Sequence, residues 1–271
     1  MDCNAVICYN PAMIGFLIKK TLYDLWDNMF RIVALNLGFL VCTAVPLLPS
    51  FLPNLFGSDL LTGIFGIAGT LICSIYLSAA ANAIKVISDY GTFTYGDFIR
   101  SFKTTWPAGV AMFGMLLLLY AVFSIVIPFY GGMGTVFGLV LSMIVIWITV
   151  FALLSFQYFF TVYARLGNSV KKAFKKCMLI SLDNTGMSIF LIIHNLFAFA
   201  ISVIFVFMFP GPVGILLYLD EALRLRLLKY DWLEANPGAN RKKIPWDAIL
   251  IEEREKTGTR TFRNFIFPWK D

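Results

Sequence analysis

The sequence predicts an all-α fold: a polytopic membrane helical bundle of about six transmembrane helices, arranged as three hairpins, with amphipathic helices at the cytoplasmic interface. The 271 residues are 59% hydrophobic and only 14% charged, with a mean hydropathy of +0.78. Soluble domains carry about 25% charged residues, so this chain has too little polar surface for a water-soluble fold. Long uncharged stretches also separate Lys103 from Arg165 and Asp183 from Asp220.

The apolar runs give the positions of the spans. We expect membrane helices at about 32–52, 61–86, 108–130, 135–163, 187–209 and 213–230. A helix rises about 1.5 Å per residue, so the first five runs are long enough to cross about 30 Å of hydrocarbon. These spans form a predicted transmembrane domain of residues 1–230, followed by a cytoplasmic tail of residues 231–271.

The segment from Phe16 to Phe30 leads into the first span and has the pattern of an amphipathic helix. Its predicted apolar face, at helical spacing, consists of Ile18, Leu22, Leu25 and Met29. The lysines and aspartates of this segment fall on its other faces. We therefore expect an interfacial amphipathic helix on the cytoplasmic side, with its charged side chains away from the apolar stripe.

The sixth segment is the least apolar of the spans. Its hydrophobic start is followed by Asp220, Glu221, Arg224 and Arg226. Asp220 and Glu221 lie one helical turn before Arg224, a spacing that indicates mutual neutralisation on one helix face. The alternative is a polar cavity at the end of a solute path.

The distribution of Lys and Arg predicts the orientation. Counted from the N-terminus, the segments before, between and after the apolar runs carry 3, 0, 3, 0, 5 and, beyond Asp220, 11 basic residues. Cytoplasmic loops of membrane proteins are enriched in Lys and Arg. The alternation therefore predicts cytoplasmic N- and C-termini, which requires an even number of crossings and favours six over five.

The most basic short segment lies between the fourth and fifth spans. Its four lysines occur within six positions and are Lys171, Lys172, Lys175 and Lys176. Helical spacing places Val170, Phe174, Cys177 and Met178 on a separate apolar face. We expect a helix along the inner membrane surface with its lysines on anionic lipid headgroups, either as a topology anchor alone or also as a contact for a partner.

The end of the tail combines aromatic and basic residues, in the sequence RTFRNFIFPWKD at 260–271. This composition is typical of a membrane-interface contact or a docking peptide. Packing against the inner ends of the chain's own helices is an equally good interpretation.

Several polar side chains fall inside the predicted spans. Asn36, Asn82, His194 and Asn195 are, with Asp220, Glu221 and Arg224, the candidate intramembrane polar site. Ionisable groups at this depth are costly and are often functional. The structural alternative for His194 is a neutral imidazole that hydrogen-bonds a facing helix, and the asparagines can join helices in the same way. Alanines near Asn82, including Ala79 and Ala83, suggest close helix packing.

Motifs of known chemistry are missing from the sequence. It contains no Walker A, GxSxG or HExxH pattern, and its five cysteines show no CxxC or metal-ligand spacing. We therefore predict no enzymatic activity, no cofactor and no metal. The net charge of +6 comes from basic residues that flank apolar runs, so the anionic lipid surface, and not nucleic acid, is the predicted partner.

Four segments together resemble the YesL-like family of bacterial membrane proteins. They are NLGFLVCTAVPLLP at 36–49, FIRSFKTTW at 98–106, SVKKAFKKCMLISLDN at 169–184 and EALRLRLLKYD at 221–231. The resemblance implies a multi-span protein of the bacterial cytoplasmic membrane whose relatives are often encoded near carbohydrate-uptake ABC transporters and sensor systems. It implies no catalytic residues.

Two functions follow as expectations. The first is a non-enzymatic accessory component associated with carbohydrate uptake or sensing, which would contact an ABC transporter or a sensor protein. The second is a small solute transporter or substrate-binding membrane subunit, with the intramembrane polar residues lining its path.

Overall fold

A computed structural model describes residues 11–51, 58–167, 169–240 and 244–258, and every regular element in these ranges is a helix. The elements are α1 Pro11–Asp27, α2 Met29–Phe51, α3 Asp59–Ser88, α4 Tyr95–Ala121, a π-helical turn Val122–Val126, α5 Ile127–Gly131, α6 Val136–Phe156, α7 Phe159–Leu166, α8 Val170–Asp183, α9 Thr185–Ile204, α10 Gly211–Ala235, α11 Trp246–Ile249 and α12 Ile251–Thr257. The predicted aromatic peptide of the tail lies outside these described residues.

Within the described ranges, five helices are long and apolar enough to cross a membrane. They are Met29–Pro49, Asp59–Ser88, Tyr95–Gly131, Val136–Leu166 and Thr185–Ile204. The all-helical fold with several apolar helices of membrane length is therefore confirmed. α10 is not among the five because its second half is charged, so the sixth span and the three hairpins stay predictions.

The helix α10 lies inside the bundle, where it packs against α1, α2, α3, α7 and α9. Val213, Leu217 and Leu223 are buried within it. Its C-terminal end returns to the start of α9, since Lys229 Nζ lies 3.0 Å from Asp183 Oδ2 and Asn184 Nδ2 donates to Tyr230 Oη at 2.8 Å. We call the end of the bundle where these residues and the turn after α3 lie the charged end.

Small residues bring α3 and α4 together, as the alanines of this region suggested. Ala79 and Ala83 are buried, and Gly109 of α4 lies directly against the backbone of α3. A Cβ atom at Gly109 would lie 2.5 Å from Ile75 Cα, closer than any normal contact. The two helices can hold this separation only because position 109 has no side chain.

Replacing Gly109 with alanine is expected to push α3 and α4 apart and to lower the free energy of unfolding by about 1–3 kcal/mol, the usual cost of overpacking. Gly114 of the same helix has no neighbouring atom within 4 Å of an added Cβ. Gly114→Ala is the matched control, and it should leave stability unchanged or raise it by up to about 1 kcal/mol through helix propensity. Unfolding of the purified chain in mixed micelles measures both, and equal effects would contradict the close contact.

The first helix is turned relative to its predicted orientation. Lys20 is only 1% exposed and Asp24 is buried, whereas Ile18 of the predicted apolar face is 38% exposed. A helix lying at the membrane interface would leave both charged side chains in water, so their burial departs from the amphipathic pattern. The physical reason is that Lys20 and Asp24 meet oppositely charged groups inside the bundle, which offset the cost of their desolvation.

Candidate functional site

The turn after α3 is the centre of the charged end. Ser88 ends α3, and its carbonyl oxygen accepts hydrogen bonds from Lys20 Nζ at 3.0 Å and from Arg224 Nη1. Carbonyl groups in the last turn of a helix lack intrahelical partners and carry the negative end of the helix dipole, so they attract cations. Tyr90 then reverses the chain with a φ of +60°.

Lys20 joins three elements at this point. Its Nζ lies 2.6 Å from Asp24 Oδ2 on its own helix and 2.5 Å from Glu221 Oε1 on α10. The ring of Tyr90 covers the same ammonium group, with its centroid 4.2 Å from Nζ. All three hydrogens of the Lys20 ammonium group can therefore be used, one for each of its acceptors on α1, α3 and α10.

Arg165 at the end of α7 binds the other acidic residue of α10. Its Nε donates to Asp220 Oδ1 at 2.9 Å and its Nη2 donates to Asp220 Oδ2, a two-pronged pairing. The same guanidinium group reaches Ser88 Oγ at 2.7 Å and Asp89 Oδ1 at 3.0 Å. A planar fork of donors suits this geometry, which a lysine could not reproduce.

Arg224 connects the bundle to the last described helix. It donates to Asp89 Oδ1 at 3.0 Å and to Glu253 Oε1 of α12 at 2.8 Å. Tyr90 reinforces the connection, because its hydroxyl lies 3.1 Å from Glu253 Oε2 and 3.0 Å from Thr257 Oγ1. Burial raises the pKa of the Tyr90 phenol, which therefore stays protonated at neutral pH and can donate.

These groups form one network, which we call the ionic cluster. Its members are Lys20, Asp24, Asp89, Arg165, Asp220, Glu221, Arg224 and Glu253. Three basic and five acidic side chains give a formal balance of −2 if all are ionised. The basic side chains each contact two carboxylates, so the cluster holds α1, α3, α7, α10 and α12 together by bonds within the protein.

The pairing within this cluster differs from the sequence-based interpretation. Asp220 and Glu221 do not neutralise Arg224 on one helix face, because Asp220 binds Arg165 and Glu221 binds Lys20. Side chains of α1, α7, α12 and the turn after α3 supply the partners, and the spacing along α10 carries no information about them. Lys20, Asp89, Arg165 and Glu253 were not among the predicted site residues.

Asn36 has a separate structural position. Its Nδ2 donates to the Met208 and Pro210 carbonyls at 3.0 and 2.7 Å, and its Oδ1 accepts from the Val213 amide at 3.1 Å. It thus fastens the turn between α9 and α10 to α2, which is the helix-joining role that its sequence position suggested. Asn82 is half-buried in α3 and belongs neither to the ionic cluster nor to the contacts of Asn36.

His194 and Asn195 belong to a third location, beside a cavity of about 350 Å³ between α1, α9 and α10. The imidazole of His194 stacks on the ring of Tyr218, with centroids 3.4 Å apart and planes inclined by 14°. Among the described residues, Nδ1 of His194 and the hydroxyl of Tyr218 have no hydrogen-bond partner. Asn195 Nδ2 approaches Gln157 Oε1 at 3.5 Å. The contact of His194 with the neighbouring helix α10 is therefore a ring stack on Tyr218.

The candidate polar residues of the sequence are therefore divided among three places, and Asn82 belongs to none of them. Asp220, Glu221 and Arg224 are the three that the ionic cluster brings together. Among the residues that the structure describes, no group of three or more His, Cys, Asp or Glu side chains could hold a metal ion.

No family model matches the chain, and comparisons with curated proteins and with solved structures gave no match. The resemblance to the YesL-like family therefore stays a prediction from the four sequence segments.

The basic helix α8 has a buried face and an open face. Ala173, Cys177 and Ile180 are buried, and the Phe174 ring stacks on Phe159 with centroids 4.6 Å apart. Burial raises the pKa of the Cys177 thiol to about 12, so this side chain is an unreactive packing group. Met178 of the predicted apolar face is instead 41% exposed.

The lysines of α8 point away from the bundle. Lys171, Lys172 and Lys175 are exposed, and Lys176 is half-buried. Asp183 at the end of α8 faces Lys229 instead. Its burial favours a raised pKa, but hydrogen bonds from Lys229 and Tyr230 outweigh burial and keep the pKa of Asp183 below its usual range. The α8 lysines thus form an exposed cationic surface next to exposed apolar side chains, as at a membrane interface.

Proposed function

We propose that this chain is a multi-pass protein of the bacterial cytoplasmic membrane that acts as a non-enzymatic accessory component, through contact with other membrane proteins. The observation that carries this proposal is the disposition of charge at the charged end. The acidic and basic groups of the ionic cluster are bound to one another, whereas three of the four α8 lysines are exposed. Charged side chains that are paired with each other hold helices in place, whereas exposed charged side chains are available to a partner or to anionic lipid.

We further propose that the charged end faces the cytoplasm. Both α1 and α12 contact it, through Lys20 and Glu253, and the basic residues of α8 lie beside it. From Gly211 to Asp220 the helix α10 rises only about 14 Å, roughly half of the hydrocarbon core. In this proposal α10 is the returning arm of the third hairpin, and it brings the C-terminus back to the side of the N-terminus. A reporter fused after Asp271 should behave as cytoplasmic, and a periplasmic signal would contradict this topology.

The transporter or substrate-binding alternative has less support. Asn36 is occupied by the turn after α9, and Asp220 and Glu221 are occupied by Arg165 and Lys20. The cavity beside His194 has almost entirely apolar walls, which suit a hydrocarbon and not a sugar. The association with carbohydrate uptake rests on the family resemblance alone.

Charge reversal on α8 tests the accessory function. In native membranes, cross-linking through α8 is expected to capture a defined membrane protein, and Lys171→Glu with Lys175→Glu should abolish that cross-link. Arg100→Glu with Lys103→Glu is the matched control, because these exposed residues begin α4 at another basic segment. The control should keep the cross-link.

A parallel flux measurement separates the two functions. The purified chain reconstituted in vesicles should transport no solute from a panel of sugars by itself. Solute flux, or a cross-link that both double variants retain, would count against the accessory proposal.

A further inference from the structure

We propose that Glu221 is a proton-binding site inside the ionic cluster: its carboxyl group carries a proton at neutral pH and donates it in a hydrogen bond to Asp24. The charge balance of the buried side chains and one oxygen atom of Glu221 lead to this assignment. The site lies between α1 and α10 and not on the α8 surface, so it exists or not independently of the accessory function.

The buried part of the ionic cluster has one acidic group more than it has basic groups. The side chain of Asp89 is 41% exposed, so water stabilises its charge. The other four carboxyl groups are buried, and they belong to Asp24, Asp220, Glu221 and Glu253. The three basic side chains that face them are Lys20, Arg165 and Arg224. A buried charge without a counter-charge is strongly unfavourable, and one bound proton removes the excess.

Glu221 is the buried carboxyl group that lacks a donor. Its Oε1 accepts from Lys20, but its Oε2 is buried and has no hydrogen-bond partner among the described residues. Both oxygens of Asp220 accept from Arg165, and both oxygens of Glu253 have donors. An ionised carboxylate needs donors for its oxygens, whereas a protonated carboxyl group is itself a donor. The proton therefore belongs on Oε2 of Glu221.

Asp24 is the acceptor for this proton. Its carboxyl group is in hydrogen-bonding contact with that of Glu221, and its Oδ2 also accepts from Lys20 at 2.6 Å. Two carboxylates that share a site repel each other, and a proton held between them relieves the repulsion. The side chain of Asp24 is 13% exposed. A proton that leaves Glu221 can therefore pass to Asp24 and then to water, with Glu221 left as a carboxylate.

The elements packed against α10 bring no second cation to Glu221 within the described ranges. The other basic side chains of α1, α2, α3 and α10 bind elsewhere: Lys19 lies over the Tyr23 ring, Arg31 donates to Asn28, Lys85 donates to the Ala164 carbonyl, Arg226 lies over the Trp246 ring and Lys229 pairs with Asp183. α7 supplies Arg165, which binds Asp220, and α9 supplies His194, which stacks on Tyr218. Neutralising Lys20 instead would enlarge the acidic excess.

The bound proton makes the stability of the fold depend on pH. A glutamate in the unfolded chain is ionised above about pH 5, so the folded chain then holds one proton more than the unfolded chain. Stability therefore falls as the pH rises, until Glu221 itself loses its proton. The unfolding equilibrium constant of the wild type should rise more steeply with pH than that of Glu221→Gln, by about tenfold per pH unit. Equal slopes in the two proteins would contradict the site.

Infrared spectroscopy of the purified full chain observes the proton directly. In a maltoside detergent, which contains no carbonyl group, the wild type at neutral pH should show the carbonyl stretch of a protonated carboxyl group. Glu221→Gln should lose this band. Glu234→Gln is the matched control, because Glu234 is exposed on the same helix, and it should keep the band. The same protonated-carboxyl absorption in the wild type and in Glu221→Gln would overturn the proposal.

Asp24→Asn separates the carboxyl pair from burial alone. With this acidic group removed, the Glu221 carboxylate faces Lys20 without a competing charge and needs no proton, so the band should fall severalfold although Glu221 is still present. Asp27→Asn, at an exposed position of the same helix, should leave the band unchanged. A band of full strength in Asp24→Asn would mean that burial alone holds the proton, and it would overturn the assignment of Asp24 as the acceptor.

Discussion

Replacing Lys20 with methionine is expected to lower the free energy of unfolding by about 3–5 kcal/mol, as when one partner of a buried ion pair is removed. Glu221 is 1% exposed and has its oxygen 2.5 Å from Lys20 Nζ, and Asp24 shares the same ammonium group. Without Lys20, two carboxylates would face each other inside the protein with no cation between them. The methionine side chain keeps the volume and removes only the charge.

The neighbouring residue provides the control for this prediction. Lys19 is half-buried, and its Nζ lies 5.7 Å from the Tyr23 ring centroid, outside the ionic cluster. Lys19→Met should change stability by less than about 1 kcal/mol, the usual worth of a surface charge. Denaturant unfolding in mixed micelles measures both variants.

A second substitution separates charge from packing at this position. Adding Glu221→Gln to Lys20→Met removes one of the two stranded carboxylates, and should recover part of the lost stability. If Lys20→Met were no more harmful than Lys19→Met, the buried ion pair would not hold α1 to α10.

The spans could be predicted from the sequence because apolar length is a local property of the chain. The five helices of membrane length in the described residues begin and end near the predicted runs, apart from Tyr95–Gly131, which starts well before residue 108. Its early start has a local cause, a capping box at Thr94 and Asp97 that begins the helix outside the apolar run.

The buried face of α1 could not be predicted in the same way. The rule of amphipathic helices assigns Lys20 to water, and that rule fails when a counter-charge is available inside the protein. The counter-charge here, Glu221, is 201 positions away in the sequence. A single sequence gives no sign of such a pairing, although the i,i+4 spacing of Lys20 and Asp24 was visible.

The partners within the candidate site could not be predicted from the sequence either. Asp220, Glu221 and Arg224 were identifiable because charges beside an apolar run are unusual. Their partners lie far away in the sequence, with Arg165 at the end of α7, Asp89 in the turn after α3 and Glu253 in α12. His194 was identifiable as the single histidine of the chain. Its neighbour Tyr218 and the cavity were not, because both depend on how α9 and α10 pack.

Arg165→Lys is the prediction with the second-largest expected effect, although it conserves the charge. The guanidinium group of Arg165 makes four hydrogen bonds in fixed directions, two to Asp220 and one each to Ser88 and Asp89. A lysine ammonium group is a compact point charge that cannot span these acceptors. We expect a loss of about 2–3 kcal/mol in the free energy of unfolding, since hydrogen bonds to charged groups are worth about 1.5–3 kcal/mol each and some would re-form.

Arg165→Lys should loosen the turn after α3 as well as lower the free energy of unfolding, because Arg165 holds this turn. Amide hydrogen exchange at Asp89 and Tyr90 should accelerate in Arg165→Lys, as the turn loses its tie to α7. Arg100→Lys is the matched control, an exposed arginine at the start of α4, and should change neither stability nor exchange. Equal behaviour of the two variants would mean that charge alone, and not the forked geometry, holds Asp220. A loss confined to Arg165→Lys would instead establish that the two-pronged pairing fastens α10 to the rest of the charged end.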